Sequence, residues 1–388
     1  MKNGGLPAPE VDLKYVAENV GYTSRNTCGN CHFYGGGGDA VKNPTMNSCL
    51  RYPDRMCDVH MGGYDFSCTD CHRTENHKIS GGSTSCPVME AELSCAGCHT
   101  ETPHYENDLL DSHLNEHCRH IACNTCHSPL YAKKQPTKVW WDWSKAGDKE
   151  RKAGKDRYGK ADYHWKKGEQ RFEMAARPSY VWSNGNMKRY LIGDPIEMED
   201  GVLKLNEPLG CQKDPNSKIT PFQIMGGIQP SDAENNYLIV PHLFPWDTKD
   251  TSAFWKGLNW EQAFEQGMQA AGLPYSGSSE WIRTDLYRGV QHEVMPKEQA
   301  LSCAHCHQSL QGDMTCNRCH ADSRQADFKE LVRQGIDFQA MADNGCDVKD
   351  LVGITDYVEF ETLGYDGDPI LTGGRFKQLP LALGSGTE

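Results

Sequence analysis

The chain has 388 residues, of which only 37% are hydrophobic, and its formal net charge at pH 7 is -13. The acidic balance disfavours nucleic acid as a partner and would steer a basic or small redox partner, although it also serves solubility alone. No run of about 18 apolar residues occurs, so the sequence predicts no membrane span. The low apolar content indicates that side chains alone do not fill the interior of so long a chain.

A short motif, Cys-x-x-Cys-His, occurs six times along the chain. Two thiols at this spacing can each form a thioether with one porphyrin, and the next histidine then lies under the iron as its proximal ligand. One copy would also fit a redox dithiol or a zinc site, but zinc does not require a histidine after every second cysteine. We therefore predict six covalently bound haem c groups. The attachment residues are Cys28, Cys31, Cys68, Cys71, Cys95, Cys98, Cys123, Cys126, Cys303, Cys306, Cys316 and Cys319, and the proximal histidines are His32, His72, His99, His127, His307 and His320.

The spacing of the motifs divides the chain. We predict one haem-packed unit over residues 1–388, with a four-haem segment (28–127), a segment without motifs (128–302), a two-haem segment (303–320) and a helix with an irregular tail (321–388). The expected fold class is a multihaem c-type cytochrome, mainly α, with much irregular chain, a few short strands and a haem-filled core.

The second axial ligand of each iron decides what a haem can do. A second histidine closes the haem and suits it to electron transfer, whereas an open position lets a substrate bind. Ten histidines lie outside the proximal set, enough to close every haem. The favoured distal ligands are His60, His77, His104, His117 and His292, followed by His113 and His120.

Residues 108–127 are predicted to form a helix that leads into the fourth motif. On such a helix His113, His117 and His120 share one face. His113 to His117 also match the H-x-x-E-H pattern of a metalloprotease. Histidines this close to so many haem motifs favour iron ligation instead.

The segment without motifs carries three local signals. An Asn-Gly turn predicts a β-hairpin over residues 181–190. Residues 237–240 are a short strand candidate. An N-capping Asn259 and a glycine after Ala271 predict a helix between them.

Six cysteines lie outside the motifs: Cys49, Cys57, Cys86, Cys118, Cys211 and Cys346. Haem attachment of this kind takes place outside the cytoplasm, where disulfides persist, so we expect a periplasmic or extracellular protein. Cys49 and Cys57 are close in sequence and are the expected disulfide pair, and the other pairings stay open. Residues 1–21 contain no signal peptide, so we expect the natural start to lie further upstream.

Several strings together resemble the octahaem tetrathionate reductase family of c-type cytochromes over nearly the whole chain. They are NTCGNCHFYGGGGD at 26–39, DVHM at 58–61, HKISG at 77–81, ACNTCH at 122–127, PTK at 136–138, WDW at 141–143, AGLPYSG at 271–277, LGYDGDP at 363–369 and TGG at 372–374. The resemblance implies an extracytoplasmic fold with close-packed haem stacks. It also implies a reductase of tetrathionate, nitrite or hydroxylamine.

The chain departs from this family in three ways. The family carries two further haem motifs upstream, and its catalytic haem, which has a lysine ligand, belongs to that part. Asn43 stands where the family has a histidine that looks like an iron ligand. Cys49, Cys57 and Cys118 stand where the family usually has other residues. A longer natural chain would explain the missing motifs and signal peptide together, and a six-haem offshoot without the catalytic module is the alternative.

Two functions remain open from the sequence. The first is electron transfer through six packed, mostly bis-histidine haems, as a stand-alone carrier, a subunit of a redox complex or a conductive assembly of copies, with redox donor and acceptor proteins as partners. The second is a reductase that uses one open haem, which the replacement at Asn43 could provide. We favour the first, because the family's catalytic haem is not encoded here. Catalytic residues are therefore left unassigned.

Overall fold

The computed structural model of the protein describes residues 10–19, 21–35, 37–41, 43–75, 77–79, 93–105, 108–307, 358 and 360–365. Part of the predicted site lies outside the described residues, namely Cys316, Cys319 and His320 of the sixth motif, and so do Cys86 and Cys346.

The helices of the described residues are short, and the longest has 12 residues. They are α1 (Leu13–Glu18), α2 (Arg25–His32), α3 (Val59–Gly63), α4 (Cys68–Cys71), α5 (Ala96–His99), α6 (Asp108–His117), α7 (Cys123–His127), α8 (Phe254–Gly257), α9 (Trp260–Ala271) and α10 (Cys303–Cys306). Within the described ranges, no helix is long and apolar enough to cross a membrane.

The largest assembly of regular structure among the described residues is a 9-stranded mixed sheet. The strands within the described residues are β1 (Thr74–Glu75), β2 (Lys78–Ile79), β3 (Thr137–Asp142), β4 (Tyr163–His164), β5 (Gly168–Glu173), β6 (Ser179–Ser183), β7 (Met187–Arg189), β8 (Val202–Pro208), β9 (Lys218–Asp232), β10 (Tyr237–Leu238) and β11 (Ser279–Gly289). In the large sheet the order is β4-β5-β3-β9-β11-β8-β7, and β6 and β10 also pair with β9. The pairs β3–β9 and β8–β11 are parallel, and the other pairs are antiparallel.

The predicted mainly α fold is wrong, because the segment without haem motifs builds this sheet. Its central strand β9 has 15 residues and includes two prolines and two glycines, which argue against a strand in a sequence. Gly226 permits a close approach: a Cβ atom there would lie 2.8 Å from Cε3 of Trp140 on β3. The composition of β9 therefore reflects packing against its neighbours rather than a turn.

The predicted hairpin over residues 181–190 is also wrong. Strand β6 pairs with β9, with Val181 opposite Thr220, whereas β7 pairs with β8, with Lys188 opposite Glu207. The chain bends at Gly185, which has a φ of 85°, but the bend joins two strands that have different partners. Long-range packing decides which strands pair, and a local turn motif carries no information about that choice.

Two other local predictions are confirmed. Helix α9 begins after Asn259, whose side chain accepts a hydrogen bond from the Gln262 N–H at 3.2 Å, and ends at Gly272 with a φ of 71°. The strand predicted at 237–240 is present as β10, which is shorter than expected.

The helix predicted over residues 108–127 is interrupted. It ends at His117, because the chain turns to meet β9: the Ile219 N–H donates to the His120 carbonyl at 2.8 Å and the Ala122 N–H donates to the Ile219 carbonyl at 3.0 Å. His120 therefore lies beyond the helix that carries His113 and His117.

Candidate haem-binding site

The five motifs within the described residues each lie on a helical turn, at the end of α2 and in α4, α5, α7 and α10. Positions three apart on a helix share a face, so both thiols of a motif are presented to one side. Cys31, Cys71, Cys95 and Cys98 are exposed, although cysteine is among the most buried residue types. None of the ten motif cysteines in the described residues is buried, so these turns offer paired thiols for thioether bonds.

Local capping bonds shape two of these turns. The Ser67 N–H donates to Asp70 Oδ2 at 2.6 Å before the second motif, and the Ser302 N–H donates to His305 Nδ1 at 2.9 Å before the fifth. His305 thus acts as a helix cap inside its own motif.

Four motif histidines face a histidine from elsewhere in the chain. The distances between ring centres are 6.0 Å for His32 and His77, 6.2 Å for His72 and His292, 5.9 Å for His99 and His60, and 6.1 Å for His307 and His117. Two metal–nitrogen bonds of about 2 Å, and about 1 Å from each nitrogen to its ring centre, span about 6 Å. Each pair therefore fits one iron between its rings.

The remaining motif histidine of the described residues is His127, which belongs to the fourth motif. His104 is one of the groups that interact with it electrostatically. His104 is held by Asn115 of α6 through three hydrogen bonds: Asn115 Oδ1 lies 3.2 Å from the ring Nδ1 and 3.1 Å from the backbone N, and Asn115 Nδ2 donates to the His104 carbonyl at 2.8 Å. A ring that donates from Nδ1 leaves Nε2 as the metal-binding nitrogen.

The protonation state of two candidate distal histidines suits a metal. Burial, together with the neighbouring His307, lowers the pKa of His117 to about 4. Burial and the neighbouring His72 likewise lower the pKa of His292 to about 4. Both rings are therefore neutral at pH 7, which is the form that binds metal.

A buried carboxylate connects two of the histidine pairs. Asp58 Oδ1 caps α3, accepting from the N–H groups of His60 at 3.0 Å and Met61 at 2.9 Å. Asp58 Oδ2 accepts from the N–H groups of Glu293 at 2.9 Å and Val294 at 3.3 Å, directly after His292. The second pair of partners of Asp58 lies more than 230 positions away in the sequence.

The large sheet positions the fourth motif. Thr125 Oγ1 donates to the Ile219 carbonyl of β9 at 2.8 Å, and Asn124 Nδ2 donates to the Val290 carbonyl at 2.6 Å, just past β11. The His127 carbonyl accepts from the Met295 N–H at 2.7 Å. The segment that follows β11 therefore contacts the fourth motif and also contains His292.

Thiols of successive motifs are neighbours. Burial and the nearby Cys28 raise the pKa of Cys68 to about 11, and a hydrogen bond to Cys123 and burial raise the pKa of Cys95. Weaker electrostatic contacts join Cys71 to Cys98 and Cys126 to Cys303. The five described motifs therefore follow one another in space in the order of the chain.

The remaining predicted residues take other places. His113 is exposed on α6, and His120 Nε2 lies 3.6 Å from Glu116 Oε1. Asn43 Oδ1 accepts from the N–H groups of Thr45 at 3.3 Å and Met46 at 3.0 Å, so its side chain stabilises a turn.

Among the cysteines outside the motifs, Cys118 is hydrogen-bonded to Cys123 of the fourth motif. Cys211 is exposed. Cys49 and Cys57 contact each other as free thiols, and their disulfide stays a prediction.

Two comparisons with known proteins give a match. Residues 138–310 match the family model described as "Cytochrome c bacterial". The structure is similar to octaheme cytochrome c from Shewanella oneidensis, with a TM-score of 0.72 and 32% sequence identity, covering 96% of this chain and 72% of that chain. No curated protein sequence matches the chain.

The fold and the repeated motifs define a multihaem c-type cytochrome. The chain belongs to the octahaem cytochrome c family, as the resemblance of its sequence strings indicated.

Proposed function

We propose that the protein transfers electrons through six covalently bound haem c groups, mostly closed by two histidines each. The observation that carries the proposal is the set of four histidine pairs, each with one motif histidine and ring centres 5.9 to 6.2 Å apart. Haem bound there would supply an iron that gains and loses one electron. An iron that has two nitrogen ligands leaves no position for a substrate.

The side chains divide this work between anchoring and ligation. The motif cysteines would hold the porphyrins, and the motif histidines would bind the irons from one side. His77, His292, His60 and His117 would bind from the other side at His32, His72, His99 and His307, and His104 would do so at His127. The proposal for Cys316, Cys319 and His320 rests on their motif alone, with His113 and His120 as further candidate ligands.

Contacts between successive motifs support a continuous row. The thiol neighbours Cys28 and Cys68, and then Cys95 and Cys123, bring each motif beside the next. A row of adjacent haems in chain order lets an electron enter near one end and leave near the other.

Location and partners follow from the chemistry of the motifs. Covalent haem attachment favours a periplasmic or extracellular protein, where disulfides also persist. The net charge of -13 favours donor and acceptor proteins with basic docking faces. Other copies of the chain would serve as partners if the haem row continues between subunits, and filaments in electron micrographs of the purified protein would test this.

A reductive titration tests the proposed function. The oxidised protein should take up six electrons per chain, and intact mass should show six haem increments. Nitrite, hydroxylamine or tetrathionate should leave the optical spectrum unchanged. A spectral shift on adding one of these compounds would favour the reductase that the sequence left open.

A further inference from the structure

We propose that Cys49, Cys57 and Glu293 form a binding site for a divalent metal ion, with Zn²⁺ as the preferred ion. One sulfur from each cysteine and one carboxylate oxygen of Glu293 all lie within 4.8 Å of one another. Cys57 and Glu293 are 1% and 0% exposed. The inference goes beyond electron transfer and does not depend on it.

The hydrogen bonds to the Glu293 carboxylate come from uncharged groups. Its Oε1 accepts from Asn47 Nδ2 at 3.4 Å, and its Oε2 accepts from the Lys133 backbone N–H at 3.1 Å. Both donors are neutral. The Lys133 ammonium instead donates to the backbone oxygens of Glu293 at 2.7 Å and Met56 at 3.0 Å. A buried carboxylate is costly unless a positive charge is close by.

The ligand set matches zinc chemistry. Zinc binds thiolate sulfur at about 2.3 Å and carboxylate oxygen at about 2.0–2.2 Å in a tetrahedron. Asn47 Oδ1, which contacts Cys49 Sγ, is placed to act as the fourth ligand. The two thiols lose their protons when the ion binds.

The charges then balance. Two thiolates and one carboxylate carry three negative charges, Zn²⁺ carries two positive charges, and the Lys133 ammonium beside Cys57 and Glu293 carries one. A neutral cluster is what a buried site needs.

An entry path is present. Cys49 and Cys57 line a cavity of about 570 Å³, together with Tyr34, Asp54 and Lys134 among others. Asp54 lies next to Lys134, with its carboxylate 3.0 Å from the ammonium. An ion could reach the two sulfurs from this side while Glu293 closes the site from within.

A disulfide between Cys49 and Cys57 is the competing chemistry. It would form with loss of two hydrogens from the thiols and would use neither Glu293 nor Asn47. The metal site accounts for all of these polar groups, whereas a disulfide leaves the Glu293 carboxylate with neutral donors at both oxygens and only electrostatic support from Lys133. This difference favours the ion.

The ion would join two distant parts of the chain. Cys57 precedes Asp58, and Glu293 follows His292, so the site fastens both segments that Asp58 also connects. Its role is structural, holding in place the segments that carry His60 and His292.

The experiment uses the complete haem-loaded protein after dialysis against a chelator that removes metal bound at the surface. Zinc is measured per chain against amino acid analysis, so the result does not depend on the haem count, and zinc K-edge absorption gives the ligands. We expect one zinc per chain with two sulfur neighbours at about 2.3 Å. Zinc with only nitrogen and oxygen neighbours, or a peptide with a Cys49–Cys57 disulfide and no zinc, would overturn the proposal.

Variants add a second readout. The double change Cys49→Ser and Cys57→Ser should abolish zinc retention, and Glu293→Gln should weaken it at least tenfold. Cys211→Ser, at an exposed cysteine, should retain zinc as the parent does. Should the first variants fail to fold, the absorption spectrum of the parent protein still decides the question.

Discussion

The Asp58 carboxylate accepts a hydrogen bond from the backbone N–H of Glu293 at 2.9 Å, across a sequence separation of 235 residues. Its other oxygen caps the helix that carries His60. One buried side chain therefore sets the position of two proposed distal ligands, His60 and His292. Chain segments this far apart in sequence are held together by polar contacts as well as by the sheet.

We expect Asp58→Asn to disturb two haems at once. The amide would place a donor against an N–H donor, and an unsatisfied buried pair costs about 1–3 kcal/mol. Redox titration followed by electron paramagnetic resonance should show shifts in two haems. Glu265→Gln removes an exposed carboxylate on α9 and should leave all potentials unchanged. A uniform shift of every haem in the Asp58 variant would show that its effect is not local.

Replacing Asn115 should loosen one distal ligand. Without the bonds from Asn115 to the His104 ring and backbone, the ring loses its fixed orientation, and loss of such partners costs about 10–100-fold in metal affinity. Asn115→Ala should give a fraction of one haem in the high-spin state. Ser112→Ala, at an exposed position on the same helix, is the control. An unchanged low-spin spectrum in Asn115→Ala would remove His104 from the ligand set.

Gly226 tests the packing at the centre of the sheet. A Cβ at this position would meet the Trp140 ring, and overpacking typically costs about 1–3 kcal/mol. Gly226→Ala should lower the free energy of unfolding by this amount in denaturant titrations. Gly21→Ala, where a Cβ meets nothing within 4 Å, should have almost no effect.

Asp232 gives the protein a specific dependence on pH. Burial would raise the pKa of Asp232, but hydrogen bonds from Asn235 and Ser276 outweigh burial and lower it to about 2. Because the folded-state pKa lies below the unfolded value of about 4, this stabilisation is present above pH 4 and is lost as the pH falls towards 2.

Unfolding of the parent protein and of Asp232→Asn should therefore be compared between pH 6 and pH 2. The difference in stability should shrink as the pH falls, since protonation removes the same charge from the parent. A difference that stays constant over this range would show that the charge of Asp232 does not matter.

The haem attachment turns could be predicted from sequence because each is a local motif whose chemistry fixes its spacing. The histidines that face these turns are harder to predict. His292 lies 220 positions from His72, and only the density of histidines in the chain pointed to it. Asn115 lies between two candidate histidines, and no sequence motif marks it as a residue that orients a ligand.

The sheet could not be predicted because its signals are non-local. Strand β9 contains Pro221 and Pro230, which locally disfavour a strand, and its neighbours β3, β6 and β11 come from separate parts of the chain. Helix α9, by contrast, has capping residues at both ends, so the local sequence is enough to predict its bounds closely.

Low-temperature electron paramagnetic resonance of the oxidised protein tests the central claim most directly. If two histidines close each iron, the spectrum should contain only low-spin ferric signals, equal in number to the haems found by mass. A high-spin signal from one haem that shifts when nitrite or hydroxylamine is added would contradict the electron-transfer account and reveal a substrate-binding iron.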